Sequence, residues 1–283
     1  MKKFWKRFSQ HSLGKYGLFF LLLFIFAIIF ANYLTPYGPT DNDVINMNEP
    51  PSWSHPLGTD GLGRDMLTRI LYGGRLSLFM GFSIAIAQAV IGTFLGVVAG
   101  VFGSYLDALV QRMVEIQLSV PRVIGAMILV SILNPGAFSM IIGLTAFGWA
   151  AAARLVRGEL LSIREEEYIK AADAIGVSTP RLIFKHYLPN VYPVIIVFIT
   201  LNIAFNILAT AVLSFLGLGV PPPTPTWGAM LQAAQSLHVL ESKPWIWLPP
   251  GIAISLTVLS VNFVGDAIRD ALDPKYYSKV ISD

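Results

Sequence analysis

Residues 151–190 read AAARLVRGELLSIREEEYIKAADAIGVSTPRLIFKHYLPN. This is the longest well-charged run in the interior of the chain, and long apolar segments flank it on both sides. Two short amphipathic helical patterns run through it, broken at Gly176 and at Ser178-Thr179-Pro180. Tyr168, Ala171, Ala172 and Ile175 recur at i, i+3, i+4 and i+7, an apolar stripe on one helix face. Glu165, Glu166 and Glu167 put negative charge in the first turn, where the helix dipole favours it. Gly176 is placed to cap the C-terminus. Thr179-Pro180 is placed to start a second helix, with proline at its first position, and Leu188-Pro189 to stop it. A connector this long and this punctuated predicts a docking surface on one face of a bilayer, since simple connectors are short.

The bilayer follows from composition. The chain has 283 residues, 54% of them hydrophobic and only 13% charged, where soluble domains carry about 25% charged residues. Several uncharged runs approach the roughly 20 residues that cross a hydrocarbon core as a helix. The fold class is therefore an all-α polytopic membrane protein. Six spans are expected, at about 18–35, 76–102, 111–133, 137–153, 191–218 and 247–265, with a basic leader over 1–17 and one membrane domain over 18–283. The first apolar run is too long for a signal peptide and is read as a retained span. Gly92 and Gly96 form a small-xxx-small pair that lets another helix approach span two.

Charge placement orients the spans. Of the 20 Lys and Arg residues, those at 64, 69, 75 and 243 fall outside if the N-terminus is cytoplasmic, Arg122 falls within a span, and the remaining fifteen fall inside. The positive-inside rule then predicts N-in, C-in, with a coupling loop of about 154–190 in the cytoplasm. A net charge of +3 is too small to signal nucleic acid, and none is expected as a partner. The absence of cysteine excludes disulfides, thiolate metal sites and thiol nucleophiles.

No catalytic constellation is present. The four histidines, His11, His55, His186 and His238, are scattered, and there is no HExxH, no Gly-x-Ser-x-Gly and no Walker Gly-Lys-Ser/Thr. The chain is not read as an enzyme, and it holds neither a metal nor a cofactor in this reading. Inside the membrane, Arg122 is the costly residue and hence a candidate on the translocation path, unless it snorkels to the interface or pairs with Glu115. Asn202 and Asn206 share one face of span five and either line a polar pathway or bind two helices together. A stand-alone ion-coupled carrier would need paired intramembrane carboxylates, and spans one, two, four, five and six have no Asp or Glu.

The run EYIKAADAIGVSTPRLIFKHYLPN resembles the EAA loop of ABC-importer inner-membrane permeases: Glu-Ala-Ala, three residues, Gly, nine residues, Ile, one residue, Leu-Pro. Ala171, Ala172, Gly176, Leu188 and Pro189 fall in register, while Lys170 stands in place of the Glu and His186 in place of the Ile. HPLGTDGLGRDMLTRILYGGRLSL, LSFLGLGVPPPTPTWGAML and GDAIRDALDPK are similar to the C-type permease subunit of dipeptide, oligopeptide and nickel importers. The resemblance implies a type I importer fold. It implies as partners a homologous B-type permease, two cytoplasmic ATPases that bind ATP and Mg, an extracytoplasmic solute-binding protein and the lipid bilayer. It makes Glu167, Tyr168, Lys170, Ala171, Ala172, Ile175, Gly176, Leu188 and Pro189 the ATPase-coupling residues. The implied cargo is a short peptide, with nickel or a metal chelate as the alternative carried by the same machinery.

Overall fold

A computed structural model describes residues 2–272. The end of the third similar stretch, with Lys275 and Lys279 counted above among the inner charges, lies outside the described residues. The helices are α1 (Lys2–Phe8), α2 (Ser12–Ile29), α3 (Ala31–Leu34), α4 (Met66–Phe102), α5 (Ser104–Ser119), α6 (Arg122–Leu133), α7 (Ala137–Ala146), α8 (Trp149–Arg164), α9 (Glu167–Ala174), α10 (Thr179–Leu218), α11 (Trp227–Leu231), α12 (Leu237–Ser242) and α13 (Pro244–Leu272). Among the described residues there is no strand, only one isolated bridge between Thr59 and Asp65. Four helices, α2, α4, α10 and α13, are long and apolar enough to cross a membrane. Two bent pairs, α5 with α6 and α7 with α8, bring the count to six if each pair is one span.

The spans differ from the expected ones where proline or glycine acts across a turn. Span three, expected whole over 111–133, is two helices at 88°. Val120 is extended (φ −94°, ψ 125°) because proline at 121 disfavours a helical residue before it. Span four is likewise bent, by 40°, at Phe147-Gly148, and its second half continues to Arg164, taking eleven residues from the expected coupling loop. Asp65 caps α4, accepting from the Thr68 N–H at 2.7 Å, and the helix then runs 37 residues without a break. Leu188-Pro189 does not stop a helix either. A π turn over Ile183–Tyr187, in which the Leu188 N–H reaches the Ile183 carbonyl, sits just ahead of Pro189. That wider turn takes up the ring that would clash with the preceding carbonyls, and α10 continues through it.

Packing gathers the helices around α4 and α10. On α4, Gly92 and Gly96 press against Trp149, Ala152, Ala153 and Val156 of α8, and a β-carbon at either would strike that helix. The small-xxx-small reading of span two is thus met by α8. At one end of the bundle, Trp227 is fully buried. Its indole donates to the Ile70 carbonyl at 2.9 Å and stacks on Phe24, pinning α11 between α4 and α2. The 36–65 loop folds over the same end. Asp60 binds Arg64 and Arg69, and Arg69 donates to the Pro39 carbonyl. At the opposite end, Arg7 of α1 donates to the Ala271 carbonyl of α13. Arg269 and Leu272 share a cleft there with Glu166, Tyr168 and Asn190. Both ends of the described chain therefore lie at the end that carries α9, as an even number of crossings requires.

Replacing Gly92 by leucine should force α4 and α8 apart. Overpacking of this kind costs about 1–3 kcal/mol, so the variant should melt earlier in detergent and accumulate less in membranes. Wild-type melting would mean the contact is loose.

Candidate coupling segment and intramembrane polar cluster

The polar segment folds as the spacing requires. Helix α9 ends with Gly176 at φ +77°. The Gly176 N–H donates to the Asp173 carbonyl at 2.9 Å and the Val177 N–H to the Ala172 carbonyl at 3.1 Å. This paired arrangement is the Schellman cap, and it accounts for the interval between Ala172 and Gly176: the first supplies the acceptor four residues before the left-handed residue. Val177 and Ala172 then pack together on a cluster of Val156, Leu160, Ile163, Leu182, Tyr187 and Val191. Ile169, 2% exposed, is the residue of α9 that anchors it there.

The expected stripe is divided by this anchoring. Ala172 turns inward and is half-buried, Ala171 and Ile175 (82% exposed) face away from the protein, and Tyr168 (46% exposed) leans back toward the start of α10. The helix is short enough that one turn seats it and the remainder is free. Glu167 and Pro189 are exposed and Leu188 is half-buried. Lys170 forms an exposed pair with Glu165 at 2.8 Å, and its ammonium holds the Glu165 carboxyl below the usual range. His186 lies beside Tyr168, rings 6.2 Å apart, and Asn190 donates both to the Tyr168 hydroxyl and to the His186 carbonyl. The two departures from the EAA pattern thus serve contacts within this chain, and the second ties α9 to the first turns of α10.

A second cluster lies within the membrane. Helix α7 breaks at Phe147, and the Gly148 N–H turns back to the Thr145 carbonyl. The carbonyls of Leu144 and Ala146 consequently lose their helical donors, and lipid cannot supply others. Gln88 donates to the first at 2.8 Å and Gln117 to the second at 3.0 Å. Gln88 is also paired with Asn206, whose amide donates back to it at 3.2 Å. Arg122 Nη2 donates to Asn206 Oδ1 at 2.7 Å and Nη1 to Asn202 Oδ1 at 3.4 Å, and the guanidinium lies 4.3 Å from the Phe205 ring centre.

Of the path candidates, Arg122, Asn202 and Asn206 are brought together, but in different roles. Asn206 is fully buried and bonds α10 to α4 and α6. Asn202 lines a cleft of about 820 Å³ that opens at the α9 end and is also walled by Glu159, Ser162 and Asn190. Glu115, the alternative partner of Arg122, is bound instead to Arg112 at 3.0 Å, because the bend at Pro121 turns the start of α6 away from α5. Sequence reasoning missed Gly148 and Phe205. It also missed the bidentate Arg157–Asp107 pair that fastens α8 to α5, since Asp107 fell in what read as a turn.

A family profile described as "binding-protein-dependent transport system inner membrane component" matches residues 92–277. The chain is a member of these inner-membrane transport permeases. A second profile, the N-terminal transmembrane domain of oligopeptide transport permease C, matches residues 1–51 of the permease. It is 42% identical over 273 residues to the dipeptide transport system permease protein DppC of Alkalihalophilus pseudofirmus, covering 96% of this chain and 89% of that one. It is 39% identical to the oligopeptide transport system permease protein OppC of Bacillus subtilis, covering 95% and 88%. It is 40% identical to the glutathione transport system permease protein GsiD of Pectobacterium atrosepticum, covering 98% and 92%. In fold, the permease is similar to a chain of the MetNI methionine ABC transporter solved in an inward-facing conformation. The TM-score is 0.61 at 21% identity, over 74% of this chain and 98% of that chain. The permease is thus a multi-pass inner-membrane protein of the type I importer fold, and its relatives are transport permeases rather than ATPases.

In the permease, a β-carbon at Gly148 would overlap the Gln88 amide and come within 2.7 Å of Arg122 Nη2. Gly148→Ala should therefore disperse the cluster, at a cost of about 1–3 kcal/mol for the buried polar groups it unpairs. A lowered melting temperature of the purified permease is the expected reading; an unchanged one would show that the cluster yields freely.

Proposed function

We propose that this permease forms half of the translocation pathway of an ATP-driven importer for short peptides, and that α9 couples it to a cytoplasmic ATPase. The other half is a homologous B-type permease, cargo is delivered by an extracytoplasmic solute-binding protein, and two ATPase subunits bind ATP and Mg. This chain supplies no ATP chemistry. It binds, orients and moves.

The observation that carries the coupling role is the free face of α9. Ala171 and Ile175 are apolar surface, with Tyr168 half-exposed at its edge, on a helix whose other face is anchored between α8 and α10. Glu167, Lys170, Ala172, Gly176, Leu188 and Pro189 set its start, its end and its link to α10. A helix anchored to two spans at once transmits a push as a rigid body. When ATP draws the ATPases together, α9 is carried with them and the spans rock to open outward and accept cargo; hydrolysis resets them. Arg122 and Asn202 face the pathway, with Asn206 holding Arg122 from behind. Peptide cargo is supported by the dipeptide, oligopeptide and glutathione permeases among the relatives.

Gly176→Val tests the coupling. Its left-handed backbone disfavours a β-branched residue by about 1–2 kcal/mol, while no atom lies within 4 Å of the new β-carbon. Only the end of α9 should be disturbed. The assembled complex should hydrolyse ATP while peptide uptake falls roughly tenfold. Wild-type uptake by that complex would exclude α9 as the coupling element.

A further inference from the structure

We propose that Arg122 is the counter-charge for the terminal carboxylate of the cargo near the middle of the bilayer, which rests on the reading of this chain as a peptide permease. Depth comes first. Gln88 lies about 18 Å along α4 from the start of its uncharged stretch at Leu76, and about 21 Å from its end at Phe102, at the helical rise. The hydrocarbon core is about 30 Å thick. Gln88 and Asn206 are hydrogen-bonded to one another, and Arg122 is bonded to Asn206. The guanidinium therefore sits near the midplane, too deep to reach headgroups by extending its side chain.

A charge held there needs an opposite charge or strong dipoles. Among the described residues, Arg122 enters no ion pair. The two carboxylates of its own span are committed elsewhere, Asp107 to Arg157 and Glu115 to Arg112. What Arg122 has are two amide oxygens and one aromatic face, all neutral. Even these leave it short of partners: Nε is buried without a hydrogen bond, and the 3.4 Å contact from Nη1 to Asn202 is long. Asn206 and Phe205 fix the guanidinium, and Asn202 is the weak partner an incoming anion would displace.

The same Asn202 lines the cleft that opens at the inner end. A polar solute in that cleft therefore meets the guanidinium through one replaceable hydrogen bond. Every linear peptide presents one α-carboxylate whatever its side chains, so a single fixed cation recognises the whole class while staying indifferent to sequence. A planar guanidinium matches a carboxylate better than an ammonium does. Cargo and site neutralise each other at the depth where either alone is most costly.

The test compares a dipeptide with its C-terminal amide, chosen so that the solute-binding protein binds both and each is supplied at saturation of that protein. Uptake is measured in proteoliposomes holding the complete complex. The wild type should carry the free acid about tenfold faster than the amide, the worth of one charge-assisted hydrogen bond. Arg122→Gln should bring that ratio to about one, and Arg122→Lys should restore part of it. Asn202→Asp, nearly isosteric and half-exposed, places a carboxylate beside Arg122 and should also erase the preference, which decides the matter if Arg122→Gln fails to assemble. Uptake with the wild-type ratio in Arg122→Gln or Asn202→Asp, or a wild type indifferent to amidation, overturns the assignment. No uptake of either form by the wild type overturns the peptide reading and takes this proposal with it.

Discussion

A backbone inside hydrocarbon has no water to bond, so each place where a helix breaks at membrane depth must be repaired by the protein itself. This permease breaks two of its spans there, at Val120-Pro121 and at Phe147-Gly148. The repair of the second break generates much of the interior. Gln88 and Gln117 reach across to the freed carbonyls of α7. Gln88 then draws in Asn206, and Asn206 holds Arg122. A polar network that looks functional thus begins as a structural debt of a bent helix. Arg122 is not needed for that repair, and it carries a full charge.

Close packing provides the frame that makes such repair possible. Gly92 and Gly96 let α4 and α8 approach until backbone meets side-chain methyl groups. At that distance a glutamine on α4 spans the gap to α7, which a wider crossing would put out of reach. In a bilayer the gain from burying apolar surface between helices is small, so this intimacy rests on van der Waals contact and on the few hydrogen bonds that cross it.

The two ends of the bundle are built for different tasks. At the outer end, loop and helix are locked together by Trp227 and by the Asp60–Arg64–Arg69 cluster, all largely buried. At the inner end, α9 is anchored by Ile169 and leaves its opposite face bare. The π turn before Pro189 joins α9 to a span that continues upward to Asn202 and Asn206. The positions of α9 and of Arg122 are therefore linked through one continuous helix.

The sequence by itself determined what depends on residues within a turn or two of each other. Uncharged runs marked the spans, lysine and arginine placement marked the side, and Gly176 announced a left-handed cap that the structure has at φ +77°. The order of motifs along the chain identified the family. What only the tertiary structure decided were the pairings between distant segments. Arg122 could pair locally with Glu115, yet it binds Asn206, 84 residues on, because the bend at Pro121 and the crossing of α6 with α10 bring that amide to it. The stripe of Tyr168, Ala171, Ala172 and Ile175 gave a helical period, but periodicity is blind to which neighbour arrives first. The cluster beneath α9 took Ala172 and Ile169 and left the rest exposed. Leu188-Pro189 reads as a stop by local rules, and the helix passes through it, because the widened turn over Ile183–Tyr187 makes room for the proline ring.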